Sequence, residues 1–299
     1  GLYQMAYPIY TVLLVISRSG IPVALAKLIA DKIAEEKRKE AHKIFKIARK
    51  MSFVIGLLIS VIMAVIAKPL ISLLSLDPRA YYAVLAISPA IFVVSIMAAY
   101  RGFFQGLQDM VPTAKSQVLE QFVRMITMIG LVIFLVPYGL KFAAAGASFG
   151  AVSGALGGLL ILLYIYHKRK EKIFSFLEEG SDSAELSSKT IVKKIISLGL
   201  PITMGALVMP LMTLIDLIFV PNRLQAAGYA MREATQLYGM FSAVAMPLVN
   251  FPTIITVSLA SSLVPAIAEA FTLGKEKLIH YRTKTALRLT ILVSLPSAA

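Results

Sequence analysis

The stretch Ile55-Gly56-Leu57-Leu58-Ile59-Ser60-Val61-Ile62-Met63 carries no charge and no alternation of polar with apolar residues. It lies inside an apolar run from about 51 to 76. A helix needs about 20 apolar residues to cross a bilayer core, and strands of a membrane barrel would be shorter and would alternate. Seven more stretches read the same way, at about 5–30, 80–100, 116–138, 141–166, 194–220, 235–268 and 285–299. The expected fold class is all-α: a polytopic membrane protein with about eight spans. The whole chain agrees, with 58% hydrophobic residues, 15% charged residues and a mean hydropathy of +0.79 over 299 residues. A soluble domain is nearer half apolar and a quarter charged.

The charges fix an expected orientation. Of 30 Lys and Arg, 22 fall in the segments 31–50, 101–115, 167–194 and 269–288. The alternate connections carry four: Arg79, Lys141, Arg223 and Arg232. The positive-inside rule places the first set in the cytoplasm. The net charge of +14 then faces anionic headgroups of the bilayer, and no basic patch with base-stacking groups suggests a nucleic acid. This orientation sends the first visible span inward, so a span before residue 1 is expected. Residue 1 is Gly and residues 285–299 form an apolar run, so the sequence reads as a piece of a longer chain.

An internal repeat points to two lobes. At an offset of 238, Lys37, Lys39, His42, Lys46 and Ala48 match Lys275, Lys277, His280, Lys284 and Ala286. Gly1-Leu2-Tyr3-Gln4-Met5 is also similar to Gln236-Leu237-Tyr238-Gly239-Met240. Both copies run in the same direction, as in parallel transporter repeats. The expected division is an N-terminal lobe at 1–166, a polar cytoplasmic linker at 167–193 and the start of a C-terminal lobe at 194–299.

Ionisable residues within spans cost about 2.5–3.5 kcal/mol each at a helix centre and need a reason to be there. Arg18 stands in Ser17-Arg18-Ser19-Gly20-Ile21-Pro22, where Gly and Pro interrupt the helix. Interrupted backbone is tolerated where it lines a wet cavity, and the planar fork of Arg suits phosphate. Arg18 is thus the first candidate for binding an anionic substrate group. Lys27 sits closer to the cytoplasmic end and can snorkel or stand at a cavity mouth. Glu120 and Arg124 are spaced for an i,i+4 ion pair, with a substrate role as the alternative. Asp216 lies among apolar residues, with pairing to Arg18, proton carriage or cation binding as its options. The segment Arg101–Thr113 reads as a cytoplasmic loop with interfacial aromatics, in which Arg101 and Gln105 are gating candidates. Gly146, Gly150, Gly154 and Gly158 recur every fourth residue and read as a helix-packing face.

The chain has no Cys, and its three His are far apart, so no metal site or thiol chemistry is expected. No Walker A, H-E-x-x-H or G-x-S-x-G motif occurs. The reading is of a chain that is not an enzyme and needs no cofactor.

Gly1-Leu2-Tyr3-Gln4-Met5-Ala6-Tyr7-Pro8, the Ser17–Pro22 break, Arg101-Gly102-Phe103-Phe104-Gln105-Gly106 and Met110–Gln117 with Glu120-Gln121 resemble the stage V sporulation protein B group. These are polysaccharide-biosynthesis membrane proteins of the MOP flippase superfamily, relatives of MurJ. The resemblance implies two six-helix lobes around a central cavity, of which this chain would hold spans two to eight and part of nine. It implies a multi-pass protein of the cell membrane that flips an undecaprenyl-pyrophosphate-linked saccharide, such as lipid II, by alternating access. Cell-wall synthesis machinery is a further partner on this reading. Arg18 matches a pyrophosphate-binding arginine of the second span. The matching arginine of the eighth span would fall near Met246–Pro252, where this sequence has none. A cation-coupled drug exporter of the same superfamily and a non-transporting scaffold are the rival readings.

Overall fold

A computed structural model describes residues 2–178, 186–248, 250 and 276–298. Among these, the elements are α1 Leu2–Arg18, α2 Gly20–Ala34, α3 Arg38–Leu73, α4 Tyr81–Gly106, α5 Val111–Leu135, α6 Leu140–Lys168, α7 Lys170–Glu178, α8 Ser188–Ala226, α9 Met231–Met240 and α10 Glu276–Ala298. No strand occurs among the described residues. Among the described residues, six stretches are long and apolar enough to span a membrane: Leu2–Ala34, Arg38–Leu73, Pro78–Gly106, Val111–Tyr138, Leu140–Lys168 and Ser188–Ala226. They correspond to the first six spans expected from sequence. The seventh, 235–268, lies largely outside the described residues, and the eighth falls within α10. The second repeat copy is thus helical at Lys277, His280 and Lys284, as the first is in α3.

The chain forms two compact units, residues 1–235 and 236–299. In the first, α4 is the central helix and touches α1, α2, α3, α5 and α6. Eighteen of its residues are buried, from Ala83 to Gly106, which fits a helix that is apolar on every side. α3 lays a face of small residues against it: Gly56 meets the Ser95 side chain, and the Ser60 hydroxyl donates to the Ser88 carbonyl at 2.9 Å. The outer helices turn apolar side chains outward. Val118, Phe122, Ile126, Ile133 and Phe134 of α5 and Leu200, Met204, Val208 and Met209 of α8 are all exposed. Apolar surface on that scale belongs in lipid, since a soluble monomer rarely shows patches beyond a few hundred Å².

The glycine stripe of α6 seats α5. A Cβ on Gly154 would come within 2.6 Å of the Glu120 carbonyl oxygen, and one on Gly158 within 3.1 Å of the Ser116 carbonyl oxygen. Gly154→Val is expected to force the helices apart and to cost about 1–3 kcal/mol, as overpacking does. Thermal unfolding of the purified protein in detergent checks this, and an unshifted midpoint would contradict the close crossing.

Two sequence expectations are corrected here. The basic segment 31–50 is mostly helix: α2 runs to Ala34 and α3 begins at Arg38, because it is rich in Ala, Lys, Arg and Glu, which are strong helix formers. The connection is a three-residue turn in which Glu36 takes φ 58° and Lys37 N–H donates to the Lys32 carbonyl at 2.9 Å. That pattern is a Schellman closure. Lys32, buried, pairs there with Glu35 at 2.7 Å and Glu40 at 3.2 Å. The hydrogen bonds from Lys32 and then Lys37 hold the Glu35 carboxyl below its ordinary range.

The segment Arg101–Thr113 is not a loop either, since Arg101–Gly106 form the last turns of α4. Gly102 and Gly106 serve packing: their α-carbons face Pro22 and Ile29 of α2. The chain reverses one step later, at Gln108, with φ 58°. Phe103 and Phe104 are fully buried instead of interfacial, and Phe103 stacks on Phe45 with ring centroids 4.1 Å apart.

Candidate functional site

Pro22 lacks an N–H, and its ring collides with the carbonyl four residues back, which belongs to Arg18. The helix is interrupted there: α1 ends at Arg18 and α2 starts at Gly20, with Ser19 between them still at helical φ −65° and ψ −44°. Three contacts fix the break. Gly20 N–H donates to Thr203 Oγ1 of α8 at 3.1 Å. Thr203 in turn donates to the Gly199 carbonyl at 2.9 Å. On the other side, the hydroxyls of Ser17 and Ser95 are hydrogen-bonded to each other, both fully buried.

Beside this break is a cavity of about 280 Å³. Arg18 and Ser19 come from the break itself, Arg101 and Gln105 from α4, and Gln117 from α5. Pro22, Val94, Ala98, Ile202 and Ala206 complete the wall. Arg18 is half-buried and makes no hydrogen bond or ion pair among the described residues. Arg101 is only 8% exposed. Its Nε and Nη2 donate to Ser116 Oγ at 3.1 and 2.6 Å, and Nη2 also donates to Glu120 Oε2 at 2.8 Å.

Three residues singled out from the sequence therefore meet at one cavity: Arg18, Arg101 and Gln105. Glu120 supports that cavity from behind, through Arg101. Its expected partner Arg124 is corrected, because the i,i+4 neighbour loses to a long-range one. The crossing of α4 over α5 puts the Arg101 fork against Ser116 and Glu120, which are one turn apart. Arg124 is half-buried, its Cβ against Gly154, and its Nε is buried without a hydrogen bond. Lys27 is exposed on α2 and does not line the cavity.

Asp216 is half-buried on α8 and makes no pair with Arg18. Gly199 crosses Gly20, so Asp216 lies about 25 Å farther along the helix, at 1.5 Å per residue. Sequence reading missed Ser116, Gln117 and Thr203. Ser116 is legible in hindsight from its spacing to Glu120, whereas Thr203 carries no local signal.

The chain is 33% identical over 292 residues to stage V sporulation protein B of Bacillus subtilis strain 168, covering 98% of this chain and 56% of that protein. It is 29% identical over 309 residues to the lipid II flippase MurJ of the same organism, covering 99% of this chain and 56% of that one. The chain thus spans about half the length of these curated relatives. Among solved structures it resembles an inward-facing multidrug resistance MATE family transporter of the MOP superfamily. The TM-score there is 0.72 at 14% identity, over 98% of this chain and 63% of that one, a likeness of fold alone. With six apolar helices of spanning length among its described residues, the chain is a multi-pass membrane protein. Its residues 1–271 match the model of the family described as polysaccharide biosynthesis protein, and the chain belongs to that family.

Proposed function

We propose that this chain forms part of a flippase for an undecaprenyl-pyrophosphate-linked saccharide, lipid II or a related precursor, working by alternating access. The observation that carries the reading is Arg18: a cation without a partner among the described residues, at a helix break, on the wall of a cavity, within a span. Its insertion cost is offset if a phosphate occupies the cavity during the cycle. The relative named as a lipid II flippase supports the substrate class. On this reading residues 1–166 form the first lobe, 167–193 the linker and 194–299 the start of the second. Lys27, Arg124 and Asp216 are secondary positions along the route, and Arg101 and Gln105 belong to its cytoplasmic gate. The residues do the work by binding and orientation, with no bond made or broken. A cation-coupled exporter is disfavoured, because the cavity walls present two arginines and no carboxylate.

The test expresses the full open reading frame that carries this chain in cells depleted of their lipid II flippase. Lipid II exposed on the outer face is then quantified. Restoration is expected, with a fall of about tenfold in Arg18→Ala, the size of one lost charge-assisted contact. Equal restoration by a well-inserted Arg18→Ala would remove Arg18 as the anion site. No restoration by the well-inserted parent would remove lipid II as the substrate.

A further inference from the structure

We infer that Arg101 is the second arm of the anion site: its free Nη1 edge and the amides of Gln105 and Gln117 take the same diphosphate-class anion as Arg18, while Glu120 holds that arginine and competes for it. The proposal rests on the flippase reading only for the source of the anion.

A guanidinium has five N–H donors. In Arg101 the Nε and Nη2 groups are turned toward Ser116 and Glu120, and Nη1 makes no hydrogen bond among the described residues. Arg101 lines the cavity, and its Nη1, without a hydrogen bond, is not sealed from solvent, so those two N–H groups are open to a ligand. Arg18, on the same cavity, also lacks a partner among the described residues. The one carboxylate nearby, Glu120, is behind Arg101 and does not line the cavity, so the walls carry two cations. A divalent anion with oxygens on two phosphorus atoms answers both forks at once, in the bidentate geometry that Arg favours. Gln105, one turn along α4 from Arg101, and Gln117, next to Ser116, add neutral donors. Glu120 keeps the fork aimed when the cavity is empty. A bound diphosphate then draws on the same positive charge, so Glu120 is a positioning residue that weakens the site it builds.

A role confined to fastening α4 to α5 would leave anion binding indifferent to these residues. The full open reading frame, purified in detergent, is titrated in parallel with inorganic pyrophosphate and with undecaprenyl diphosphate. The parent is expected to bind, and the neutral double variant Arg101→Gln with Glu120→Gln to lose about tenfold in affinity. Glu120→Gln alone should bind about threefold tighter, since a neutral amide competes less for the fork. Should the double variant fail to elute as a folded monodisperse protein, Arg101→Lys decides, with a loss of about fivefold expected because the charge stays and the fork goes. Parent-like affinity in the double variant or in Arg101→Lys overturns the inference, as does a parent that binds neither probe. Binding of both probes identifies the diphosphate group itself as the ligand, and binding of the prenyl form alone identifies a lipid headgroup. Arg101-dependent binding by a parent that restores no lipid II exposure keeps this site and sinks the flippase reading. Restored exposure with Arg101-independent binding does the reverse.

Discussion

Gly20→Ala is expected to be among the most damaging single-methyl changes in the first compact unit. An added Cβ would lie 2.0 Å from the Gly199 carbonyl oxygen, 2.5 Å from its carbon and 2.6 Å from its Cα. All three are backbone atoms, so no rotamer relieves the clash. The two helices must separate, and separation breaks the hydrogen bond from Gly20 N–H to Thr203. Overpacking costs about 1–3 kcal/mol where side chains can yield, so about 3 kcal/mol or more is expected here. The reciprocal change is milder: a Cβ on Gly199 meets Gly20 no closer than 3.2 Å. Unfolding of both variants in detergent should therefore show a large drop for Gly20→Ala and a small one for Gly199→Ala. Equal drops would mean that α2 and α8 do not cross as described. A further consequence follows for the cavity, since the same crossing fixes Arg18 and Ser19 at its edge.

Glu120→Ala is expected to destabilise the protein by about 3–5 kcal/mol, the usual cost of stranding one member of a buried ion pair. The side chains of Arg101 and Glu120 are 10% and 9% exposed, with Nη2 and Oε2 2.8 Å apart. Removing the carboxylate leaves a guanidinium with only Ser116 as partner. Replacing both residues by Leu takes away the charge and the debt together, and such swaps are often neutral or better. The double variant should therefore be more stable than Glu120→Ala alone. Thermal or denaturant unfolding of the set, read as a double-mutant cycle, measures the coupling. A Glu120→Ala variant as stable as the parent would show that the pair is solvated and not a buried fastening.

What was legible in the sequence follows from what each residue answers to. The spans were legible because lipid leaves the backbone no partner but itself, so a run such as Ile55–Met63 has one solution. The break at Arg18 was legible because Pro22 acts on a residue at fixed distance. The stripe Gly146–Gly158 was legible because its spacing matches a helix turn. Helix ends were not. Glu36, Ser75 and Gln108 all stand at left-handed closing positions, with φ between 52° and 58°, where sequence reading looks for Gly. The partner of Glu120 was hidden for a different reason. Spacing along one helix suggested Arg124, whereas the crossing of two helices selected Arg101. The same limit hid the role of Gly102 and Gly106, whose packing against α2 depends on neighbours nearly 80 residues away in the chain. What binds at a cavity wall is a property of such crossings, so the site emerged only once the helices were placed.

The central claim is that Arg18 binds the pyrophosphate of a lipid-linked saccharide during translocation. The most direct test reconstitutes the protein from its full open reading frame into liposomes with fluorescent lipid II and follows the loss of label to a reductant outside. The account predicts translocation by the parent and a rate about tenfold lower in Arg18→Ala. Translocation at the parent's rate by Arg18→Ala, from an equal amount of inserted protein, would contradict it.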